Sequence, residues 1–242
     1  MTDRKDLMRR IEETVERRRD AYLAFLTGLL RFETVSGARE PAAIERFRSD
    51  TLRAFDYLEV ETERLGMTAR RYDELAFVAE LPGQDGEETL GLITHLDVVP
   101  PGVGWTHPPF GGTIADGFVW GRGTQDDKGP AAAAFAAVDV LRELGLENRR
   151  AIRLLFGTLE ETTAWPDIEL LKDEGETPDL TLALDSAFPV VNGEKGRVAV
   201  RWTASWTRSP AKPDRLRPVS LTAGRRANMV PGTATLIIAA PE

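Results

Sequence analysis

The stretch 90-LGLITHLDVV-99, followed by 129-GPAAAAFAAVDVLRELG-145 and 151-AIRLLFG-157, decides the fold. The first and third segments contain apolar runs with the length of a buried strand, whereas the alanine-rich middle segment favours a helix. Pro130 suits the first turn of this helix and Gly145 suits its end. A strand, a crossover helix and a second strand predict a parallel sheet.

Further apolar patterns flank this unit. Residues 180–184 (LTLAL) form a third run with the length of a buried strand. Toward the N terminus, residues 6–32 carry apolar side chains at helical spacing among many charged ones, which predicts a pair of amphipathic surface helices. Residues 41–65 predict another helix, which ends at Gly66. We therefore expect an α/β fold with a mainly parallel sheet flanked by helices.

The pattern changes at Arg197. Residues 197–206 (RVAVRWTASW) alternate like a half-exposed strand, and residues 234–240 (ATLIIAA) indicate another strand. We predict one α/β domain over residues 1–196 and the beginning of a second domain over residues 197–242. The second segment is short for an independent domain, so the sequence is expected to stop inside a larger fold.

Composition narrows the classes of function. The 242 residues include 31 Lys and Arg against 39 Asp and Glu, a net charge of −8, which disfavours binding to nucleic acid. The absence of cysteine excludes disulfides and thiolate chemistry and fits a reducing cytoplasm. The first twenty residues lack the apolar core of a signal peptide, and no apolar run approaches the ~18 residues of a membrane span. We expect a cytoplasmic protein that binds neither nucleic acid nor membranes, and the sequence does not indicate its oligomeric state.

Metal-competent side chains follow each strand of the predicted parallel sheet, and an aspartate pair precedes the alanine-rich helix. They are His95 and Asp97 after the first strand, Glu160 and Glu161 after the second, Asp185 after the third, and Asp126 and Asp127 before the helix. Ligands of open α/β sheets collect beyond the carboxyl ends of the strands. We therefore expect these side chains to converge on one edge of the sheet.

So many carboxylates in one cleft require a compensating positive charge. Apart from Lys128 no basic residue is distributed to pair with them, so bound divalent metal is the economical explanation. At a spacing of two residues, Asp97 can orient the imidazole of His95 or polarise a metal-bound water. One residue of the aspartate pair could bridge two metals about 3.5–4 Å apart. Of the adjacent glutamates, one can ligate metal while the other accepts a proton from water.

Four separated motifs resemble the signature blocks of the co-catalytic zinc peptidases that include aminoacylase, carboxypeptidase G and dipeptidase V. They are HLDVVPPGVGW, GRGTQDDKGP, the Glu160-Glu161 pair and LDSAFPVVNGEKG. The NGEKG and WTHPPF segments are most similar to the dipeptidase V-like branch. The resemblance implies that residues 1–196 are a metal-binding zinc-peptidase catalytic domain and that residues 197–242 begin an α+β lid domain. Such an enzyme would bind two divalent metals and cleave dipeptides or N-acyl amino acids. Zinc is expected in both metal sites, although such carboxylate-rich sites also accept manganese or cobalt.

The resemblance also implies a role for each site residue. His95 and Asp185 would ligate one metal, Glu161 the other, and Asp126 would bridge them, with Glu160 as general base, Asp97 supporting His95, and Asn228 of ANMVPG contacting the peptide substrate. The family completes its second metal site with a histidine near the end of a longer chain. His107, in WTHPPF, matches no ligand position, so the second site is expected to be incomplete in this sequence.

Several alternatives stay open. The chain could be a catalytically incompetent fragment, or a single-metal protein that binds a peptide or amino acid without cleaving it. A metallo-phosphoesterase is a weaker alternative because the sequence contains no arginine cluster placed for a phosphate. Asp127 and Lys128 fit either a cap of the following helix or a direct role in the site.

Overall fold

A computed structural model describes residues 4–84, 88–162, 164–187, 189–193, 195–196, 198, 200–204, 216–224 and 230–240. The chain divides into two compact units, Met1–Val190 and Val191–Glu242. The predicted domain boundary, after residue 196, lies a few residues further along the chain. The assignment of a catalytic domain and a lid to the two parts stays a prediction.

The first unit is built from four helices and seven strands among its described residues. The helices are α1 (Arg4–Leu29), α2 (Pro41–Arg64), α3 (Lys128–Glu143) and α4 (Pro166–Asp173). The strands are β1 (Thr68–Tyr72), β2 (Ala76–Leu81), β3 (Thr89–His95), β4 (Thr113–Ala115), β5 (Phe118–Trp120), β6 (Ala151–Gly157) and β7 (Leu180–Ala183).

The central sheet has the strand order β1-β2-β6-β3-β7. Strands β6, β3 and β7 are parallel, with His95 at the end of β3 opposite Gly157 at the end of β6. This confirms the α/β fold and the parallel strand pair joined by α3. Strands β1 and β2, which the sequence analysis did not predict, extend the sheet in antiparallel fashion.

The helices agree with the sequence in part. Helices α2 and α3 confirm the predicted ones, and α4 was not predicted. The expected pair of helices over residues 6–32 is wrong, because α1 is one continuous helix of 26 residues. Its sequence contains no proline, and its only glycine, Gly28, stands next to its last residue, so nothing breaks the helix earlier.

Aromatic rings form the centre of the hydrophobic core between the sheet, α2 and α3. Phe135 of α3 stacks on Phe156 of β6 with ring centroids 5.5 Å apart, and Phe77 of β2 lies between Phe156 and Phe55 of α2. Each of these side chains is at most 1% exposed, and burying one contributes roughly 1.5–3 kcal/mol. A smaller cluster that includes Val78, Leu155 and Leu171 packs α4 against the sheet.

Strand β7 is present but not buried, contrary to prediction. All four of its residues are exposed, with Leu180 at 51% and Leu182 at 54%. The strand stands at the edge of the sheet and, within the described residues, pairs only with β3. A local apolar run indicates a strand, but it does not tell whether another element covers that strand.

The second unit contains an antiparallel pair, β8 (Arg217–Ala223) and β9 (Ala234–Ala239). Strand β9 confirms the prediction for residues 234–240. The strand predicted over residues 197–206 is wrong for those of its residues that the structure describes, since none of them lies in a strand. Val198 and Val200 are 86% and 64% exposed, so their alternation faces no core.

No helix among the described residues has the length and apolar character needed to cross a membrane.

Candidate metal centre

Parallel strands bring the predicted site residues to one edge of the sheet. His95 is the last residue of β3, and its partner in the register is Gly157, the last residue of β6. The turn that contains Glu160 and Glu161 therefore starts beside His95. Asp185 follows the end of β7 by two residues, on the other side of β3.

Carboxylate oxygens surround the Nε2 atom of His95. Asp126 Oδ1 lies 2.9 Å from it, Asp185 Oδ2 3.8 Å and Glu160 Oε2 3.9 Å. One ligand atom from each of His95, Asp126 and Asp185 lies within 4.8 Å of the other two, which is the spacing of groups that could hold one ion. Of the predicted metal ligands, these three are brought together most closely.

The opposite ring nitrogen fixes the orientation of the imidazole. His95 Nδ1 lies 2.9 Å from the carbonyl oxygen of Asp97 and 3.3 Å from its carboxylate. Because these oxygens can only accept, we assign the proton of the neutral ring to Nδ1, and in that form Nε2 has a lone pair for a metal ion. Nε2 is buried and has no hydrogen-bond partner of acceptable geometry in the described part of the chain. A buried nitrogen of this kind, facing several carboxylates, fits a divalent metal such as zinc.

Asp97 has a second set of contacts that the sequence did not predict. Its carboxylate is fully buried and accepts hydrogen bonds from the backbone N–H groups of Glu160 and Glu161, both at 3.1 Å. The same side chain therefore contacts the imidazole and holds the turn that carries the two glutamates. The role of Asp97 in supporting His95 stays a prediction, to which this geometry gives a physical basis.

Asp127 and Lys128 lie beneath the site. Asp127 occupies the N-cap position of α3, but its side chain makes no capping hydrogen bond and instead accepts one from the backbone N–H of His95 at 3.2 Å. Lys128 is buried and donates to the carbonyl of Phe32 at 2.7 Å. Burial raises the pKa of Asp127 to about 7 and lowers the pKa of Lys128 to about 7.

The charged groups of the site shift one another's pKa values in a way that favours a nearby cation. Burial lowers the pKa of His95, but its contacts with Asp126 and Asp97 outweigh that effect and raise the pKa to about 11. The contact with His95 lowers the pKa of Asp126. Burial raises the pKa values of Glu160 and Glu161, and neighbouring carboxylates raise them further. A nearby divalent cation would favour the charged forms of these carboxyl groups, so their clustering fits a metal site.

Glu161 and His107 do not belong to this group of three. Burial raises the pKa of the Glu161 carboxyl group, and the negative charge of Asp126 raises it further. His107 packs against Trp120 with ring centroids 5.1 Å apart. Asn228 lies outside the described residues.

Sequence reasoning missed Asp167, which supports the turn between β6 and α4. Its carboxylate is fully buried and accepts hydrogen bonds from the backbone N–H groups of Thr158 and Leu159 at 2.8 and 2.9 Å. Pro166 followed by Asp167 is a typical beginning of a helix, and that pattern could have drawn attention to this aspartate.

Comparison with known proteins relates this chain to one peptidase family. Residues 91–212 match the model of peptidase family M20/M25/M40. Putative dipeptidase YtjP of Bacillus subtilis is 35% identical over 184 residues, which cover 74% of this chain and 38% of the relative. Putative dipeptidase SSP1012 of Staphylococcus saprophyticus is 32% identical over 230 residues, or 95% of this chain and 48% of the relative. The chain thus spans about half, or less, of the length of these relatives.

Solved structures share the fold at lower identity. Human carnosine dipeptidase 1 superimposes with a TM-score of 0.65 at 24% identity, covering 75% of this chain and 41% of that one. The dipeptidase Dug1p of Saccharomyces cerevisiae gives a TM-score of 0.62 at 20% identity, covering 72% of this chain and 40% of that one. At these identities the likeness concerns the fold alone.

Proposed function

The chain belongs to peptidase family M20/M25/M40, and on that premise we propose that it carries the metal-binding part of an enzyme that hydrolyses the amide bond of dipeptides. The resemblance stated from the sequence motifs is confirmed at the level of the family. The observation that carries the proposal is the buried Nε2 atom of His95, which lacks a hydrogen bond and faces Asp126 and Asp185. The dipeptidase names of the bacterial relatives favour dipeptides over other N-acyl amino acids.

The proposed metal ligands follow from the donor atoms. His95 and Asp185 would hold one divalent ion, Asp126 would bridge to a second, and Glu161 would ligate that second ion. Two ions, expected to be zinc, would polarise the scissile carbonyl and make a water molecule more acidic. The second ion lacks a complete ligand set in this chain, since only Asp126 and Glu161 are proposed for it.

Glu160 is the proposed general base. Its carboxylate reaches to 3.9 Å from His95 Nε2, yet 39% of its side chain is exposed, so it can meet both a water molecule and a substrate. In the proposed reaction Glu160 takes a proton from the attacking water and later gives it to the leaving amine. The carboxylate of Asp97 keeps this glutamate in place by holding its backbone N–H.

The substrate and its surroundings remain proposals. We propose that the side chain of Asn228, from the predicted lid, contacts a small peptide. We also propose that the protein works in the cytoplasm, which fits a sequence without cysteine, and that it has no nucleic-acid or membrane partner; the net charge of −8 disfavours nucleic acid.

The decisive experiment compares Glu160→Gln with Glu169→Gln, a change of an exposed glutamate on α4. Both proteins are assayed on a panel of dipeptides after metal loading, and their metal content is measured. We expect Glu160→Gln to lose about 10²–10⁴-fold in kcat while keeping its metal. Glu169→Gln should behave like the unmodified protein. Retained turnover in Glu160→Gln would exclude the proposed base.

A second candidate function is supported by the three-residue group itself. His95, Asp126 and Asp185 are spaced so that they could hold one ion, and a protein with one ion could bind a peptide or amino acid without cleaving it. For such a protein, calorimetry of the chain loaded with one metal ion would detect binding of a dipeptide, and no hydrolysis would follow. Phosphate ester turnover without peptide turnover would instead indicate a metallo-phosphoesterase.

A further inference from the structure

Four consecutive backbone amides in the turn after β6 are bound by two buried aspartates. We call residues 158–161 the glutamate turn, because it ends in Glu160 and Glu161. The N–H groups of Thr158 and Leu159 donate to Oδ2 of Asp167, and those of Glu160 and Glu161 donate to the two carboxylate oxygens of Asp97. Every amide of the glutamate turn is therefore held by a carboxylate, two by each aspartate.

Asp167 makes its contacts with the backbone. It is 0% exposed, and its other oxygen, Oδ1, accepts a hydrogen bond from the N–H of Ile168 at 3.0 Å. Within the described residues no lysine or arginine forms an ion pair with it. Hydrogen bonds from N–H groups to a buried carboxylate are among the stronger ones, so Asp167 is a rigid anchor at the start of α4.

The carbonyl side of the glutamate turn is also held. Trp165 Nε1 donates to the carbonyl of Glu160 at 2.8 Å, and Thr162 Oγ1 donates to the carbonyl of Leu159 at 2.7 Å. Thr158 Oγ1 connects the beginning of the turn to the carbonyl of Leu75 at 2.8 Å. These bonds leave the backbone of the turn little freedom, so its anchors determine where the glutamate carboxylates stand.

We propose that Asp167 is a positioning residue for the peptidase reaction, which acts by fixing the glutamate turn and thereby the carboxylates of Glu160 and Glu161. Asp97 holds one half of the turn and also contacts His95, whereas Asp167 holds the other half and does not contact the proposed ligands. Small displacements of catalytic groups reduce rates strongly. The kinetic part of the inference rests on the proposed function, but the control of the turn by Asp167 can be measured without it.

Two variants disturb the hydrogen bonds of the Asp167 carboxylate in different ways. Asp167→Ala removes both acceptor oxygens, so the backbone amides of Thr158, Leu159 and Ile168 all lose their acceptor. Gly157→Ala leaves Asp167 unchanged, but its new Cβ would lie 2.4 Å from Oδ2 of Asp167 and would displace the carboxylate. Asp173→Ala, at an exposed position of the same helix, is the matched control.

The first measurement is amide hydrogen exchange by NMR on the whole chain. In the unmodified protein all four amides of the glutamate turn should exchange slowly, and fast exchange at Thr158 and Leu159 would overturn the proposal. In Asp167→Ala and Gly157→Ala we expect faster exchange at all four amides, including Glu160 and Glu161, whose own acceptor Asp97 is intact. Exchange that rises only at Thr158 and Leu159 would show that Asp167 does not control the glutamates.

The second measurement separates positioning from stability. With saturating metal and a dipeptide substrate, both variants should lose about 10–100-fold in kcat with KM changed less than about twofold, and Asp173→Ala should leave kcat and KM unchanged. A lowered melting temperature with normal kcat, measured well below melting, would make Asp167 merely structural and overturn the proposal. If the unmodified protein hydrolyses no dipeptide, the proposed function fails, and the exchange of Glu160 and Glu161 still decides the inference.

Discussion

The two histidines of this chain have contrasting environments. The side chain of His95 is 3% exposed, and three carboxylates approach its Nε2 atom to within 4 Å. The ring of His107 packs against Trp120, where its contact is aromatic. The same side chain can therefore serve as a metal ligand in one place and as a packing group in another, according to its neighbours.

Replacing each histidine in turn tests this contrast. We expect His95→Ala to weaken the binding of Zn²⁺ by more than about 100-fold, because loss of a direct ligand costs more than loss of a supporting contact. His107→Ala should bind Zn²⁺ as the unmodified chain does. Isothermal titration calorimetry on both variants measures the effect. Equal weakening in the two variants would contradict the assignment of His95.

The strands of the central sheet show which features could be predicted from the sequence and which could not. Because β3 and β6 are parallel and in register, the residues that follow them had to meet at one edge, and the local pattern was sufficient to predict that meeting. Strand β2 was missed because its Glu80 interrupts an apolar run. That glutamate lies in the sheet because it pairs with Arg70 and Arg153. Asp167 was missed for a similar reason, since its role depends on backbone groups eight and nine residues away.

A network of ion pairs ties the segment after α4 to the sheet. Glu176, whose side chain is 7% exposed, pairs with Arg70 of β1 and with Arg153 of β6, and it accepts a hydrogen bond from Tyr72. Glu80 of β2 joins the same two arginines. Such a network connects β1, β2 and β6 through their side chains.

Removing the charge of Glu176 should destabilise the fold. We expect Glu176→Gln to lower the free energy of unfolding by about 2 kcal/mol, between the values typical of exposed and of buried ion pairs. Glu13→Gln, in a pair where both side chains are 59% exposed, should change it by less than about 0.5 kcal/mol. Urea denaturation followed by circular dichroism measures both values, and equal values would contradict the argument.

The same network predicts a dependence on pH. Burial tends to raise the pKa of Glu176, but hydrogen bonds from Arg70 and Tyr72 outweigh it, so the pKa lies below its ordinary value. A carboxyl of this kind stabilises the folded state above its unfolded pKa of about 4.5 and loses that contribution as the pH falls through its lower folded pKa. Between pH 7 and pH 3.5 Glu176→Gln should therefore lose less stability than the unmodified chain. Parallel unfolding curves against pH would refute this expectation.

Close packing between β3 and the segment before β7 gives another test. A Cβ atom on Gly91 would lie 2.3 Å from Cγ of Pro178, so Gly91→Ala would overpack this contact. We expect a loss of about 1–3 kcal/mol in the free energy of unfolding. Gly193→Ala, where the added methyl group would meet no atom within 4 Å, is the control. An unchanged denaturation midpoint for Gly91→Ala would contradict the described packing.

At the scale of the whole molecule, the proposed metal site depends on folding. Its residues lie at the end of β3, after β6 and β7, or before α3, so only the folded first unit gathers them. An ion that binds only the folded state stabilises that state by mass action. Repulsion among the carboxylates of the site strengthens this coupling, because a bound cation would relieve it.

We therefore expect Zn²⁺ at about 100 times its Kd to add about 2.7 kcal/mol to the free energy of unfolding and to raise the melting temperature by roughly 5–10 °C. A chelator should reverse the shift. The chain carries a net charge of −8, so weakly bound cations could stabilise it without using the site. His95→Ala separates the two effects, because that variant keeps the surface charge but loses the ligand at the centre of the carboxylates. Differential scanning calorimetry of both proteins should show the shift only with His95 present, and an equal shift in His95→Ala would mean that the stabilising ions bind elsewhere.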